Sequence, residues 1–494
     1  MAMPQLNHNQ LIAQFQDFRQ KLYNYFESYK DACMDLLDAL AGNTGAQSIV
    51  ELSLSSLFKR NYNSVYKAIK ESFNLTSQKT KNEDEVEVEE LGVEKQNTLI
   101  RLVSELIEQP QQRPFYLFAA DTTPYPRPYA RTLPERGYIY QPNTIKGNKP
   151  INVGHCYSIL SILPEKEIDS HAAWAVPLSA KRVSLVKSGT DIASEQIQSV
   201  MSDSSLPMHE KLCVLVGDTE YSRRSFLEQQ SKHKNLVVIA RVRSNRIFYQ
   251  SPLVGELHKK RGCPKKYGTR FDLADAETWH ATDETTIVFQ TTRKGRHLSV
   301  TIQAWHQMLM RGSKQEKMYR HPFTLLRIHV TDDTGNSVWK PMWLIIIGDR
   351  RQEISPTVAY HSFRQRFDIE HMFRFAKQRL LMTQFQTPDV VHEENWILLV
   401  MLSYVQLWAA KDLATYLPRP WERPHDTTNP PIVTPSVIQR DFHRIISQIG
   451  KPGASPKPRG ISSGRVVGHT QPKRPVHPVV KKPSKSIPKK QKSA

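Results

Sequence analysis

Cysteine is scarce in this chain: four in 494 residues, at Cys33, Cys156, Cys213 and Cys263, with no Cys-x-x-Cys pair. A disulfide framework and a cysteine-based structural zinc site both need paired, regularly spaced thiols, so neither is indicated. His155 and Cys156 are metal donors in kind, but without a second pair they read as a strand-packed cysteine beside a polar histidine. Long apolar runs are also missing. The longest, WILLVMLSYVQLW at 396–408, falls well short of the ~20 residues a spanning helix needs and reads as a buried helix. The start, MAMPQLNHNQ, has neither the basic opening nor the apolar stretch of a signal peptide, so a cytoplasmic chain is expected. Acidic residues are outnumbered, 48 against 68 Lys and Arg, giving a net charge of +20. That excess favours a polyanionic partner, nucleic acid above all. An anionic membrane surface would match the charge equally well, but no segment supports insertion.

A length of 494 residues calls for two or three domains. Leu11, Phe15, Phe18, Leu22 and Phe26 recur at helical spacing, and SIVELSLSSLF and SVYKAIKESF flank a polar break at KRNYN. Residues 1–77 are therefore expected to be a helical domain. The second of the flanking pair, with Tyr66, Lys67 and Lys70, would enter the DNA major groove if the two form a helix-turn-helix. Any small helical bundle has such turns, so the alternative stays open. Residues 78–95, with seven acids between Glu83 and Glu94, read as a solvated linker. From 96 to 244 short apolar runs (FYLFAAD, INVGHCYSILSIL, WAVPLSAKRVSL, KLCVLVGD, LVVIARVR) alternate with two helical patterns, which predicts a mixed α/β sheet. A β-rich insertion follows at 245–350, then a second part of the core at 351–417, an extension at 418–450 and a proline-rich tail at 451–494. That tail has twelve Lys or Arg and no acid, the composition of a disordered cationic segment.

Two strands end in an aspartate. Asp121 closes FYLFAAD and Asp218 closes KLCVLVGD, the places where α/β folds set their sites. Each is also an ordinary turn former. The third carboxylate lies in FRQRFDIEHMFRFAKQ at 363–378, where Ser355-Pro356 supplies a good helix start. On one helix, Phe363, Arg366, Glu370, Phe373 and Lys377 fall on a single stripe, so three charges interrupt an apolar seam. A solvated Arg366/Glu370 pair would contribute only ~0.2–0.5 kcal/mol. If Asp121, Asp218 and Glu370 converge, however, their mutual repulsion calls for divalent cations, and two Mg²⁺ ions clamping a phosphodiester suit such a cluster. Glu370 would then bind metal, while Arg366 and Lys377 would hold DNA phosphates.

The spacing Phe363-x2-Arg366-x3-Glu370-x6-Lys377 resembles the Tyr, Arg, Glu, Lys signature of bacterial DDE transposases of the insertion sequence four superfamily, with Phe363 in place of the usual Tyr. The resemblance covers about 113–415. It implies a ribonuclease-H-like core interrupted by a β-strand insertion, with Asp121, Asp218 and Glu370 as catalytic metal ligands for two Mg²⁺ ions, Mn²⁺ being a workable substitute. It also implies a bacterial, nucleoid-associated homodimer that binds the terminal inverted repeats of its own element, cuts the DNA and joins the freed 3′-hydroxyl to a target. Many relatives excise through a hairpin, with an insertion tryptophan taking a flipped base. Of Trp305, Trp339 and Trp343, the first and last stand in predicted strands, and Trp339 in a predicted turn is the candidate. The insertion loop KKRGCPKKYG adds Arg261, Lys265 and Lys266 as phosphate contacts. Two rival readings remain: an inactive or domesticated transposase that only binds DNA, and a nuclease that cuts without joining.

Overall fold

The computed structural model describes residues 7–73, 85–141, 150–166, 172–252, 265–292, 295–414, 432–457, 464 and 466–481. The apolar periodicity from Leu11 to Phe26 falls on the first helix, and a second helix follows it. A capping box of Asn7 and Gln10 starts α1 (His8–Tyr25), and α2 (Lys30–Ala41) follows Tyr29, whose φ of 50° turns the chain. SIVELSLSSLF makes only a four-residue 3₁₀ turn at Glu51–Leu54, so the expected helix-turn-helix is not formed by this pair. Its serines explain why: Ser53 Oγ donates to Val50 O at 2.6 Å, a local bond that competes with a regular helix. The basic partner does form, as α3 (Tyr62–Glu71). α4 (Glu85–Ser104) begins inside the acidic stretch expected to be a linker, and residues 74–84 lie outside the described ones.

The sheet begins with β1 (Phe115–Pro126), β2 (Gly137–Tyr140), β3 (Ile151–Leu163) and β4 (Val176–Arg182). α5 (Gly189–Ser202) leads to β5 (Leu212–Gly217), and α6 (Arg224–Gln230) to β6 (Leu236–Val242). β1 pairs antiparallel with β3 and parallel with β5, which runs parallel to β6, while β4 lies antiparallel on the far side of β3. The order β4-β3-β1-β5-β6, with one antiparallel meander and two parallel crossovers, is the ribonuclease-H-like arrangement. The central strands are apolar on both faces because helices cover both.

In the insertion, β7 (Ile247–Tyr249) and β8 (Arg270–Asp272) make a small separate hairpin. β9 (Glu284–Thr291), β10 (His297–Met308), β11 (Phe323–Asp332) and β12 (Met342–Ile347) do not form a sheet of their own. β12 pairs antiparallel with β6, so the insertion extends the core sheet to ten strands, ending at β9.

The helical pattern after Ser355 is a pair of helices, not one. Ser355 caps α7 (Pro356–Gln365), accepting from the Val358 amide, and α8 (Phe367–Arg379) continues beyond a break at Arg366. There the backbone bonds tighten to three-residue spacing, Arg366 N to Phe363 O at 3.2 Å and Ile369 N to Arg366 O at 3.1 Å. The apolar run anticipated as a buried helix is α9 (Val390–Ala409), and α10 (Pro435–Ile449) closes the set. No helix among the described residues is long and apolar enough to cross a membrane.

α9 packs on β4, α2, α3 and α10, so the N-terminal helices and the sheet share one buried cluster that takes in Leu22, Leu36, Ile69, Leu117 and Ile159. Part of the tail is also seated. Lys451 Nζ lies 3.0 Å from Asp35 and 3.4 Å from Asp38, and the Ala454 amide donates to Asp31 at 2.9 Å. Farther along, Val480 forms a parallel bridge to Gly137, its amide donating to Arg136 O at 2.8 Å, so disorder does not extend to every residue after 451. The physical reason is the free edge of β2, whose unpaired backbone groups accept an extended segment.

Candidate active site

The β1/β5 register runs from Phe115 opposite Leu212 to Ala119 opposite Val216. The same offset carried two residues further sets Asp121 level with Asp218. Asp218 is the first residue past β5, so the two carboxylates come close where the parallel pairing ends, and Asp218 adds to the upward push on the Asp121 carboxyl. Asp218 caps the 3₁₀ turn Thr219–Ser222, its Oδ1 accepting from the Glu220 amide at 2.9 Å. Gly217 before it has no freedom to vary: a Cβ there would stand 2.5 Å from Tyr221 Cβ. The buried Tyr221 ring thus closes the strand end beneath both aspartates.

α8 brings the third acid. Arg366, buried at the break between α7 and α8, places Nη1 at 3.3 Å from Asp121 Oδ2 and Nη2 at 2.7 Å from Glu370 Oε1. Its guanidinium lies 4.9 Å from the Phe367 ring centroid and 5.8 Å from that of Phe363. The Glu370 side chain is 44% exposed, whereas those of Asp121 and Arg366 are 20% and 9% exposed. Burial pushes the Asp121 carboxyl up to about 6; Arg366 and the Thr122 amide oppose the rise, and Asp218 and Glu370 add to it. Burial is the largest cause, and the two other acids are close enough to Asp121 to add to it. Lys377, half-buried two turns along α8, is held below the usual lysine range by burial, while Cys156 and Asp121 pull it back up.

Thus Arg366 joins Asp121 to Glu370, and Asp218 and Lys377 lie near enough to Asp121 for their charges to be felt, although the stripe that suggests the grouping is split at Arg366. Arg366, expected to hold DNA phosphate, has its two terminal nitrogens engaged by carboxylates in the protein alone. Phe363 is buried beneath it and has no polar task. The donor set fits a divalent cation in kind, since all three side chains are carboxylates. In position it is incomplete: among the described residues no three His, Cys, Asp or Glu side chains are grouped to hold an ion, and Arg366 stands between two of the acids.

The other candidates lie elsewhere. Lys67 Nζ sits 5.8 Å from the Tyr29 ring centroid and Lys70 pairs with Glu71 at 3.2 Å, on a helix tied to α9 by Asn395 Nδ2 donating to Ile69 O at 2.9 Å. Arg261 is outside the described residues; Lys266 Nζ lies 4.7 Å from the Tyr319 ring centroid, and Lys265 precedes it in the chain. Trp305 and Trp343 are core residues in an aromatic cluster with Phe271 and Trp279, and Trp339 is 60% exposed. Sequence reasoning misses Tyr221, whose only local signal is its position three residues after Asp218.

A family model described as DDE superfamily endonuclease matches residues 21–312, which includes Asp121 and Asp218 and stops short of Glu370. No curated protein matches the chain.

Proposed function

The chain belongs to the DDE superfamily endonucleases, and from that premise we propose that it is a DNA transposase of the insertion sequence four type, acting as a homodimer on the terminal inverted repeats of its own element. The reading is supported by Arg366, which contacts both Asp121 of β1 and Glu370 of α8, and by Asp218, which directly follows β5, the strand parallel to β1. Those three residues would hold divalent cations, Mg²⁺ with Mn²⁺ as substitute. When bound, such ions activate water and neutralise the charge that develops on a phosphodiester. Asp121 and Asp218 are fixed by strand backbone and need no rearrangement, whereas Glu370 is positioned by a half-exposed side chain. Lys377 offers an ammonium beside the acids, suited to a phosphate oxygen of the bound strand. Trp339, exposed in the turn before β12, offers a ring on which an unstacked base can lie.

The test is a labelled duplex ending in the element's inverted repeats, incubated with purified protein and Mg²⁺. Joined products are expected. Cut but unjoined DNA would reduce the proposal to a nuclease, and binding without cutting would reduce it to a DNA-binding protein.

The tail is assigned to non-specific DNA contact, on its charge. Because Lys451 is built into the helical lobe through Asp35 and Asp38, truncation must begin after Lys457 to leave that lobe intact. Deleting 458–494 removes ten Lys or Arg. Each phosphate that is no longer neutralised flattens the slope of log K against log salt by about 0.9, so the truncated protein is expected to bind random duplex more weakly and with a shallower slope. An unchanged slope in a filter-binding titration would remove the tail from the DNA surface.

A further inference from the structure

We propose that Arg366 is the resident counter-ion of the carboxylate cluster and must leave it before a metal ion can be held, so that the free protein is kept unloaded until DNA draws the guanidinium away. The inference rests on the metal-site reading above and goes beyond it by giving Arg366 a task in the metal-free protein. One side chain touches two of the three acids, Asp121 at 3.3 Å and Glu370 at 2.7 Å. A guanidinium is always charged and its planar fork reaches two carboxylates at once, so it supplies in the free protein the positive charge that the cluster requires. The contact is not a surface accident. Arg366 is 7% exposed, it occupies the break between α7 and α8, and its Nε is buried without a hydrogen-bond partner among the described residues.

Two cations on the same carboxylates compete for their lone pairs and repel each other. An ion held between Asp121 and Glu370 would take the space and the lone pairs that Arg366 uses, and it would repel the guanidinium at contact distance. Metal and Arg366 therefore compete, and the apparent metal affinity of the free protein is lowered by whatever the two ion pairs contribute. A DNA phosphate offers Arg366 another anion. By linkage, anything that draws Arg366 off the carboxylates strengthens metal binding by the same factor that metal strengthens DNA binding. Arg366 is thus a positioning residue that alternates between phosphate and carboxylate.

The probe is Mn²⁺ alone, titrated by electron paramagnetic resonance into full-length protein without DNA, with thermal melts confirming that each variant is folded. Arg366→Gln is expected to bind Mn²⁺ about tenfold more tightly than wild type or better, within the usual range of coupling between sites. Arg366→Lys keeps the charge but has a single ammonium that cannot fork between two acids, so it is expected to fall between the two. Lys377→Gln removes a neighbouring charge that touches neither acid, and its effect is expected to stay below about threefold. Equal or weaker Mn²⁺ binding in Arg366→Gln overturns the proposal, and so does an equal gain in Lys377→Gln, which would reduce the effect to general charge. Failure of the underlying reading looks different. Asp218 does not touch Arg366, so if Asp218→Asn leaves Mn²⁺ binding unchanged in both the wild-type and Arg366→Gln backgrounds, the cluster is not the metal site.

Discussion

Asp121→Asn, Asp218→Asn and Glu370→Gln are each expected to slow DNA cleavage by ~10³-fold or more, and any two together by little more than one alone, because ligands of one metal site act as a unit. The three positions are reached by independent routes: β1, the end of β5, and α8. A merely structural or solvated role would give three different and mostly small effects. Glu370 is the sharpest case, since an ion pair with Arg366 alone would give cleavage no reason to depend on its charge. The substitutions keep shape and remove charge, so folding and DNA binding are expected to persist, and binding should tighten where repulsion of phosphate falls. Single-turnover cleavage of an end-labelled duplex in Mg²⁺ is the measurement. A folded Glu370→Gln protein that cuts within about tenfold of wild type would take α8 out of the active site. Lys377→Ala should differ in kind, weakening complex assembly together with rate.

Much of this site is legible in the order of the residues. Asp121 and Asp218 each close an apolar run, which brings them near each other once the two strands are neighbours. What no local pattern carries is the parallel pairing of β1 with β5, since β2, β3, β4 and α5 intervene between them. The stripe from Phe363 to Lys377 groups Arg366 with Glu370 through an idealised helix that the chain does not form. Regular 3.6-residue spacing says nothing of the tight turn at Arg366, and it is that turn which aims the guanidinium at the acids instead of at solvent. The insertion is legible as strands but not as part of the core sheet, because the β6/β12 pairing joins segments from its two ends. The helix-turn-helix expectation fails on side-chain competition in a serine-rich segment, a term that apolar periodicity does not contain.

A second buried charge, invisible to sequence patterns, sets the other large expectation: Glu393→Gln should destabilise the fold by ~3–5 kcal/mol. Glu393, in the first turn of α9, is fully buried and gathers three partners. His155 Nδ1 lies 2.6 Å away, Tyr157 OH donates at 2.8 Å, and Arg127 Nε stands at 3.3 Å. Arg127 is itself spent on the segment after α8, donating to Phe385 O at 2.7 Å and also to Thr387 O, and Tyr125 OH donates to Phe385 O at 2.8 Å. The carboxylate therefore ties β1, β3 and α9 to the loop that ends the Glu370 helix. Gln keeps the volume but leaves the Arg127 charge buried and uncompensated, and it turns one acceptor into a donor that faces donors. The neighbouring Glu394 provides the control. Its ion pair with Arg182 measures 2.7 Å, with side chains 31% and 16% exposed, so it is only partly buried and Glu394→Gln should cost clearly less than Glu393→Gln. Urea denaturation of the two variants distinguishes them directly. Similar midpoints would mean that the buried cluster contributes nothing beyond a partly buried pair. A large loss in Glu393→Gln alone would place the anchoring of α8 in a network that Asp121's own strand continues, through Tyr125 and Arg127.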